Sequence, residues 1–243
     1  MTLGWFGFSS IGIIGPAVAM VISHFIMTLY LMVNLQLKQK IIKLTPCSIS
    51  LRSFKDIMKV GGGGLINSIT IAGTVAVVTA AVSKHGVEAL AGYGLGSRLE
   101  IIITPLVFGI GSVLTASVGI NVGAQQLPRA KMIAWTGAFI SFCVVGLLGA
   151  TVTIFPDIWL NNFESSSLIR DYATSYLIIV APFYCFFAAG QTLYFASQGL
   201  GKIFYPVIVG IIRLLSVSII CYYVTIYDLS LNFVFYGVSF GLL

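Results

Sequence analysis

The stretch GSRLEIIITPLVFGIGSVLTASVGINVGAQQLP, residues 96–128, decides the fold. Arg98 and Glu100 stand at its head with opposite charges, and no charged residue follows from Ile101 to Pro128. Such a run exceeds the roughly 20 apolar residues with which a helix crosses a bilayer. It is continuously apolar, whereas a membrane β-strand alternates lipid-facing and lumen-facing residues over about 10 positions. The stretch reads as a membrane helix with both signs of charge at its entrance.

Outward from it the pattern repeats. Val60–Ser83, Met132–Pro156 and Tyr172–Gly201 carry no charge at all. His24 is the one member of the Asp, Glu, Lys, Arg and His set between Met1 and Leu37, and Arg213 the one between Ile203 and Tyr227. Six complete spans are expected, near residues 11–33, 57–82, 97–121, 132–155, 173–198 and 203–226. Residues 229–243 reach only about 22 Å at 1.5 Å per residue, so they are expected to be a seventh helix cut short. The fold class is all-α, a polytopic membrane helix bundle. Composition agrees: 58% of the chain is hydrophobic and 8% charged, against about 25% charged in soluble domains.

The net charge of +6 reports topology rather than a nucleic-acid partner. Lys38, Lys40, Lys43, Arg52, Lys55 and Lys59 lie between the first two spans with only Asp56 against them, and Arg129, Lys131 and Lys202 fall on the same side of alternating helices. The other side holds Lys84 and Arg170 beside Glu88, Asp157, Glu164, Asp171 and Asp228. Basic residues mark the cytoplasmic side, so loop 38–56 is expected there. A nucleic-acid binder would gather its basic residues on one folded face beside base-reading groups. Cys47, Cys143, Cys185 and Cys221 lack metal-ligand spacing and read as packing residues. No charged leader follows Met1, so no removable signal peptide is expected, and the chain is read as open at both ends.

Two motifs are more specific than hydropathy. In the first, an apolar helix holding Pro105 ends in Val118, Gly119, Asn121, Gly123 and Ala124, followed by Arg129 and Ala130. In the second, ASQGLGKIFYPVIVGIIRLL, Gln198, Gly199, Gly201 and Lys202 turn one helix into the next. Both resemble the multidrug and toxic compound extrusion (MATE) antiporters. The resemblance runs in order along the chain, GIIGPAVAMVIS (12–23) being similar to the family's sixth helix. It implies one lobe of a two-lobe transporter: residues 1–37 as the last helix of the N-terminal lobe, 38–56 as a basic cytoplasmic linker, and 57–243 as the C-terminal lobe. The partners it implies are the bilayer, a small organic substrate and a missing N-terminal lobe, in a bacterial inner membrane. The activity it implies is export of organic or cationic drugs and toxic compounds in exchange for H+ or Na+, with no cofactor beyond that ion. A lipid-linked saccharide flippase of the same superfamily is the alternative, and a non-transporting scaffold a third reading. Sodium-coupled relatives carry acids inside the family's seventh and tenth helices; here the corresponding spans hold none.

Candidate site residues follow from polarity in an apolar setting. An ionised side chain costs about 2.5–3.5 kcal/mol at a helix centre, and each apolar neighbour returns about 0.3–0.6. Glu100, followed by Ile101, Ile102 and Ile103, is thus tolerable as an interfacial acid. As the alternative, a carboxyl drawn partly out of water can take up and release a proton, as an antiporter's coupling group must. Arg98 is expected to snorkel to the outer interface. Arg213 lies mid-span, where an ionisable residue is a functional candidate by default; a structural tie is the other reading, and direct pairing with Glu100 is doubtful at an estimated depth difference of about 13 Å. Cavity candidates are Asn67, Ser68 and Thr70 in the second span and Tyr184, Gln191 and Tyr194 in the fifth, where aromatic faces suit flat cations. Against them stands helix packing, the usual work of small polar residues in membranes. Gly61 and Gly64, in a run of four glycines, are expected either to let the helix start unwind or bend or to allow close helix contact, and Pro105 and Pro182 to allow bending. With His24 and His85 as the two histidines, no metal site or hydrolytic triad assembles.

Overall fold

The computed structural model describes residues 14–35 and 50–243, and gives the backbone alone at 52, 53, 56, 59 and 60. The expected basic linker, 38–56, lies mostly outside those residues, as do the first residues of the expected opening span. The chain divides into two compact units, Met1–Ser53 and Phe54–Leu243.

The first unit contains α1 (Ile14–Val33). Its polar side chains bond to their own helix: Ser23 donates to the Ala19 carbonyl, Thr28 to the His24 carbonyl, and the His24 ring meets the Met20 carbonyl at 2.8 Å. In lipid no water satisfies such groups, so the preceding turn's carbonyls take that role.

The second unit is a bundle of α2 (Leu51–Ser83, from Phe54 onward), α3 (Val87–Gly123), α4 (Leu127–Ile154), the short α5 (Pro156–Leu160), α6 (Ser167–Val180), α7 (Tyr184–Gly199), α8 (Phe204–Ile226) and α9 (Leu231–Leu242). The described residues include six stretches long and apolar enough to cross a membrane, α6 and α7 counting as one, and no strand. Apolar side chains cover both inside and outside. Ile103, Val107, Tyr176 and Phe235 are fully buried, while Ile120, Phe139 and Leu147 stand out from the bundle, as lipid-facing residues do.

Helix ends follow local chemistry. Pro128 and Pro156 sit in the first turns of α4 and α5, where the missing N–H has no helical partner to lose. After α7, Gly201 takes φ +68°, a left-handed turn that glycine makes without steric cost. Pro182 interrupts the expected fifth span: α6 stops at Val180, a 3-10 turn covers Ala181–Phe183, and α7 begins at Tyr184. Gly149 of α4 faces the Ala181 carbonyl there, leaving no room for a Cβ.

Two boundaries differ from expectation. The third helix begins at Val87, ten positions before the expected start at residue 97. Arg98 and Glu100 therefore stand well inside a helix, not at its doorway. Charges marked the boundary in the sequence, but a helix continues through charges that its neighbours accommodate. The second helix begins at Leu51, so Gly61–Gly64 lie in continuous α-helix, and the expected unwinding at the glycine run is not seen.

Candidate functional site

The site begins with one face of α3. Tyr93, Gly96, Glu100, Ile103 and Val107 follow three- and four-residue spacing, which stacks them on one side of a helix. That side meets α6. Gly96 has no Cβ, and the Tyr176 ring occupies the space a Cβ would take. Tyr176 is thereby carried against α3, wedged edge-on between Tyr93 (centroids 5.4 Å apart) and Phe235 (5.2 Å).

The Tyr176 hydroxyl donates to Glu100 Oε1 at 2.5 Å, and the Tyr184 hydroxyl donates to the same oxygen at 3.2 Å. The two phenols are 3.4 Å apart, and both rings are fully buried. They lie eight residues apart on either side of the 3-10 turn, so the Pro182 break separates the two arms that grip one carboxylate. Glu100 itself is half-buried. Two charge-assisted donors on one oxygen hold a carboxylate firmly and leave Oε2 without a hydrogen bond to the described residues.

A cavity of about 560 Å³ lies among α2, α7, α8 and α9. Asn67, Gln191, Tyr194 and Arg213 line it, with Phe186, Phe187, Tyr205 and Phe240 as aromatic wall. The Arg213 guanidinium stands 5.5 Å from the Phe187 ring centroid, within cation–π range. Gln191 Nε2 and Tyr194 Oη are buried and make no hydrogen bond. Arg213 and Glu100 make no ion pair; the ion pair seen among the described residues is Arg170 to Asp157.

The structure thus brings Asn67, Gln191, Tyr194 and Arg213 to one cavity and places Glu100 with Tyr184 outside its lining. Thr70 donates to the Asn67 carbonyl and Ser68 to the Gly64 carbonyl; both satisfy backbone and neither lines the cavity. Gly61 has open space around it, and the position a Gly64 Cβ would take is 3.7 Å from Tyr194 Oη. Pro105 lies inside α3 with no break in the helix. Arg98 is exposed, its guanidinium 5.5 Å from the Phe163 ring centroid.

Sequence reasoning missed Tyr176, Tyr93 and Phe240. Tyr176 carried a signal: with Tyr184 it forms an i, i+8 pair in an apolar run, a spacing that puts two rings near one helix face. Phe240 carried none, since only packing turns it to the cavity.

Known proteins resemble the chain throughout. The profile of the family described as MatE matches residues 65–224. Over 224 residues the chain is 23% identical to the probable multidrug resistance protein YoeA of Bacillus subtilis, covering 90% of this chain and 48% of that protein. Over 217 residues it is 26% identical to the probable multidrug resistance protein NorM of Thermotoga maritima, covering 88% and 46%. The chain spans about half the length of these relatives. A transporter of the MOP superfamily from Pyrococcus furiosus, described as having a binding pocket of reverse polarity, superposes with a TM-score of 0.86 at 20% identity, over 99% of this chain and 54% of that one. An outward-facing multidrug resistance MATE transporter gives 0.80 at 19% identity, over 99% and 54%. These structural likenesses establish the fold.

Proposed function

The chain belongs to the MatE family, whose members are transporters and not enzymes, and from that premise we propose that it forms one lobe of a secondary active exporter. Its spanning helices and its family make it an integral membrane protein. In this reading it expels organic compounds, drugs and toxic molecules among them, in exchange for H+ or Na+. On the same reading the helices from α2 onward belong to the C-terminal lobe and α1 to the other lobe, in a bacterial plasma membrane. The relatives' length, about twice that of this chain, supports a second lobe facing the cavity, and rocking of the two lobes would expose that cavity to each side in turn.

The observation that carries the reading is Glu100, an acid inside a membrane helix, gripped through Oε1 by Tyr176 and Tyr184. An intramembrane acid held this way is a site for exchanging an ion. Oε2, the oxygen left free, can take up a proton without disturbing either phenol. A flippase for lipid-linked saccharides finds less support, because one guanidinium in the cavity is a sparse counter-charge for a pyrophosphate.

Dye efflux from cells producing the intact transporter tests the reading under imposed pH and sodium gradients. Glu100→Gln is expected to abolish the pH-gradient dependence. Efflux that follows the gradient unchanged in that variant would remove Glu100 from the coupling step.

A further inference from the structure

The cavity's polar side chains are Asn67, Gln191, Tyr194, Tyr205, Arg213 and Ser216, and the charged one among them is a donor. Arg213 supplies guanidinium N–H donors, Gln191 presents a buried Nε2 without an acceptor, and Tyr194 presents a buried hydroxyl without a partner. Gln191 and Tyr194 are 7% and 6% exposed, so a ligand in the cavity meets Nε2 and Oη only once these side chains turn toward it. Among the described residues no Asp or Glu lines the cavity, and Arg213 is the one charged side chain that does. Glu100 does not neutralise Arg213 by contact, since its Oε1 belongs to two phenols and the pair makes no ion pair.

The charge in this set calls for a ligand that brings negative charge and acceptors to the guanidinium. A cation would set like charge against Arg213. Phe186, Phe187, Tyr205 and Phe240 demand a flat apolar body as well. Phe187 lies against the guanidinium, which steadies it while leaving its N–H groups to a carboxylate, sulfonate or phosphate. The volume, about 560 Å³, is within the range that holds small organic ligands.

We propose that this cavity takes organic anions, an aromatic or heterocyclic body bearing a carboxylate, sulfonate or phosphate that seats on Arg213, with Gln191 and Tyr194 as auxiliary donors. The proposal rests on the exporter reading only for its role as cargo selection; binding itself stands apart from export. It turns the sequence expectation of flat cations around, for the aromatic faces are there but the charge among them is already positive.

Fluorescein and rhodamine 123 share a xanthene body and differ in charge, so they read the polarity directly. The full chain is placed in zwitterionic phosphatidylcholine nanodiscs, with empty discs as blank, and each dye is titrated by fluorescence anisotropy. Fluorescein is expected to bind about tenfold or more tightly than rhodamine 123, as guanidinium–carboxylate recognition implies. Arg213→Gln is expected to lower fluorescein affinity about tenfold while leaving rhodamine 123 no weaker, and Arg213→Lys to recover part of the loss. Circular dichroism and elution volume establish that each variant is folded. Should Arg213→Gln fail there, Gln191→Leu serves, with an expected loss of about threefold for fluorescein from one hydrogen bond. Equal or tighter binding of rhodamine 123, no fluorescein binding by the parent, or unchanged fluorescein affinity in a folded variant would overturn the proposal. Gradient-driven export of rhodamine 123 without fluorescein binding would sink this inference and spare the exporter reading. Arg213-dependent fluorescein binding without export of either dye would do the reverse.

Discussion

The bundle holds two polar places that differ in whether their donor groups have found acceptors. At Glu100 they have: two buried phenols donate to one carboxylate oxygen, and aromatic edges wedge one of those phenols in place. In the cavity they are open, because Gln191 and Tyr194 end in buried polar atoms that touch no partner. Buried polar groups in proteins are nearly always paired. A closed cluster therefore points to a group whose charge the protein itself manages, and an open one to a group awaiting something from outside.

The contrast predicts opposite responses to removing a polar atom. The largest effect belongs to Tyr176→Phe, which strips a donor from Glu100. Its expected cost is about 1.5 kcal/mol, near the top of the range for interhelical hydrogen bonds in membranes, read as a lower midpoint of thermal unfolding in detergent. Tyr184→Phe removes the longer of the two bonds and is expected to cost about 0.6 kcal/mol on the same scale. An inverted order would show that the 2.5 Å contact is not the principal support of Glu100. In the cavity Gln191→Leu should leave the midpoint unchanged or slightly raised, by about 0.5 kcal/mol or less, since an orphan donor gives way to an apolar group of similar size. A clear loss of stability there would mean that Nε2 has a partner after all, and the contrast would break. Smallest of all, Ser68→Ala should shift the midpoint negligibly, because its hydroxyl serves only the Gly64 carbonyl of its own helix.

Much of the fold was legible because lipid imposes a single rule on long segments. Long apolar runs, one of them holding Arg213, located the spans seen among the described residues, and Pro182, expected to allow bending, lies at the break between α6 and α7. Helix starts were less legible. Arg98 and Glu100 looked like a boundary, yet their neighbours come from α5–α6 and from α6–α7, beyond the reach of local sequence. The four glycines spoke of unwinding, but their weak helix propensity was overridden within a continuous α2. For the site, single residues could be read and their grouping could not. Gln191, Tyr194 and Arg213 stood out as polar groups in apolar runs, whereas the partnership of Glu100 with Tyr176 spans 76 positions and exists only through packing.

The length of α3 has a consequence for the bilayer around it. Its 37 residues make a rod of about 55 Å, set against a hydrocarbon slab of roughly 30 Å. Leaning alone cannot hide it, since burying the full rod would take a tilt of about 57° where membrane helices stay within roughly 40°. At least one end must emerge among the headgroups, and lipid thickness becomes a mechanical load on the very element that carries Glu100. Thicker or thinner membranes should then bias the angle of that lever even when no ion and no cargo is bound.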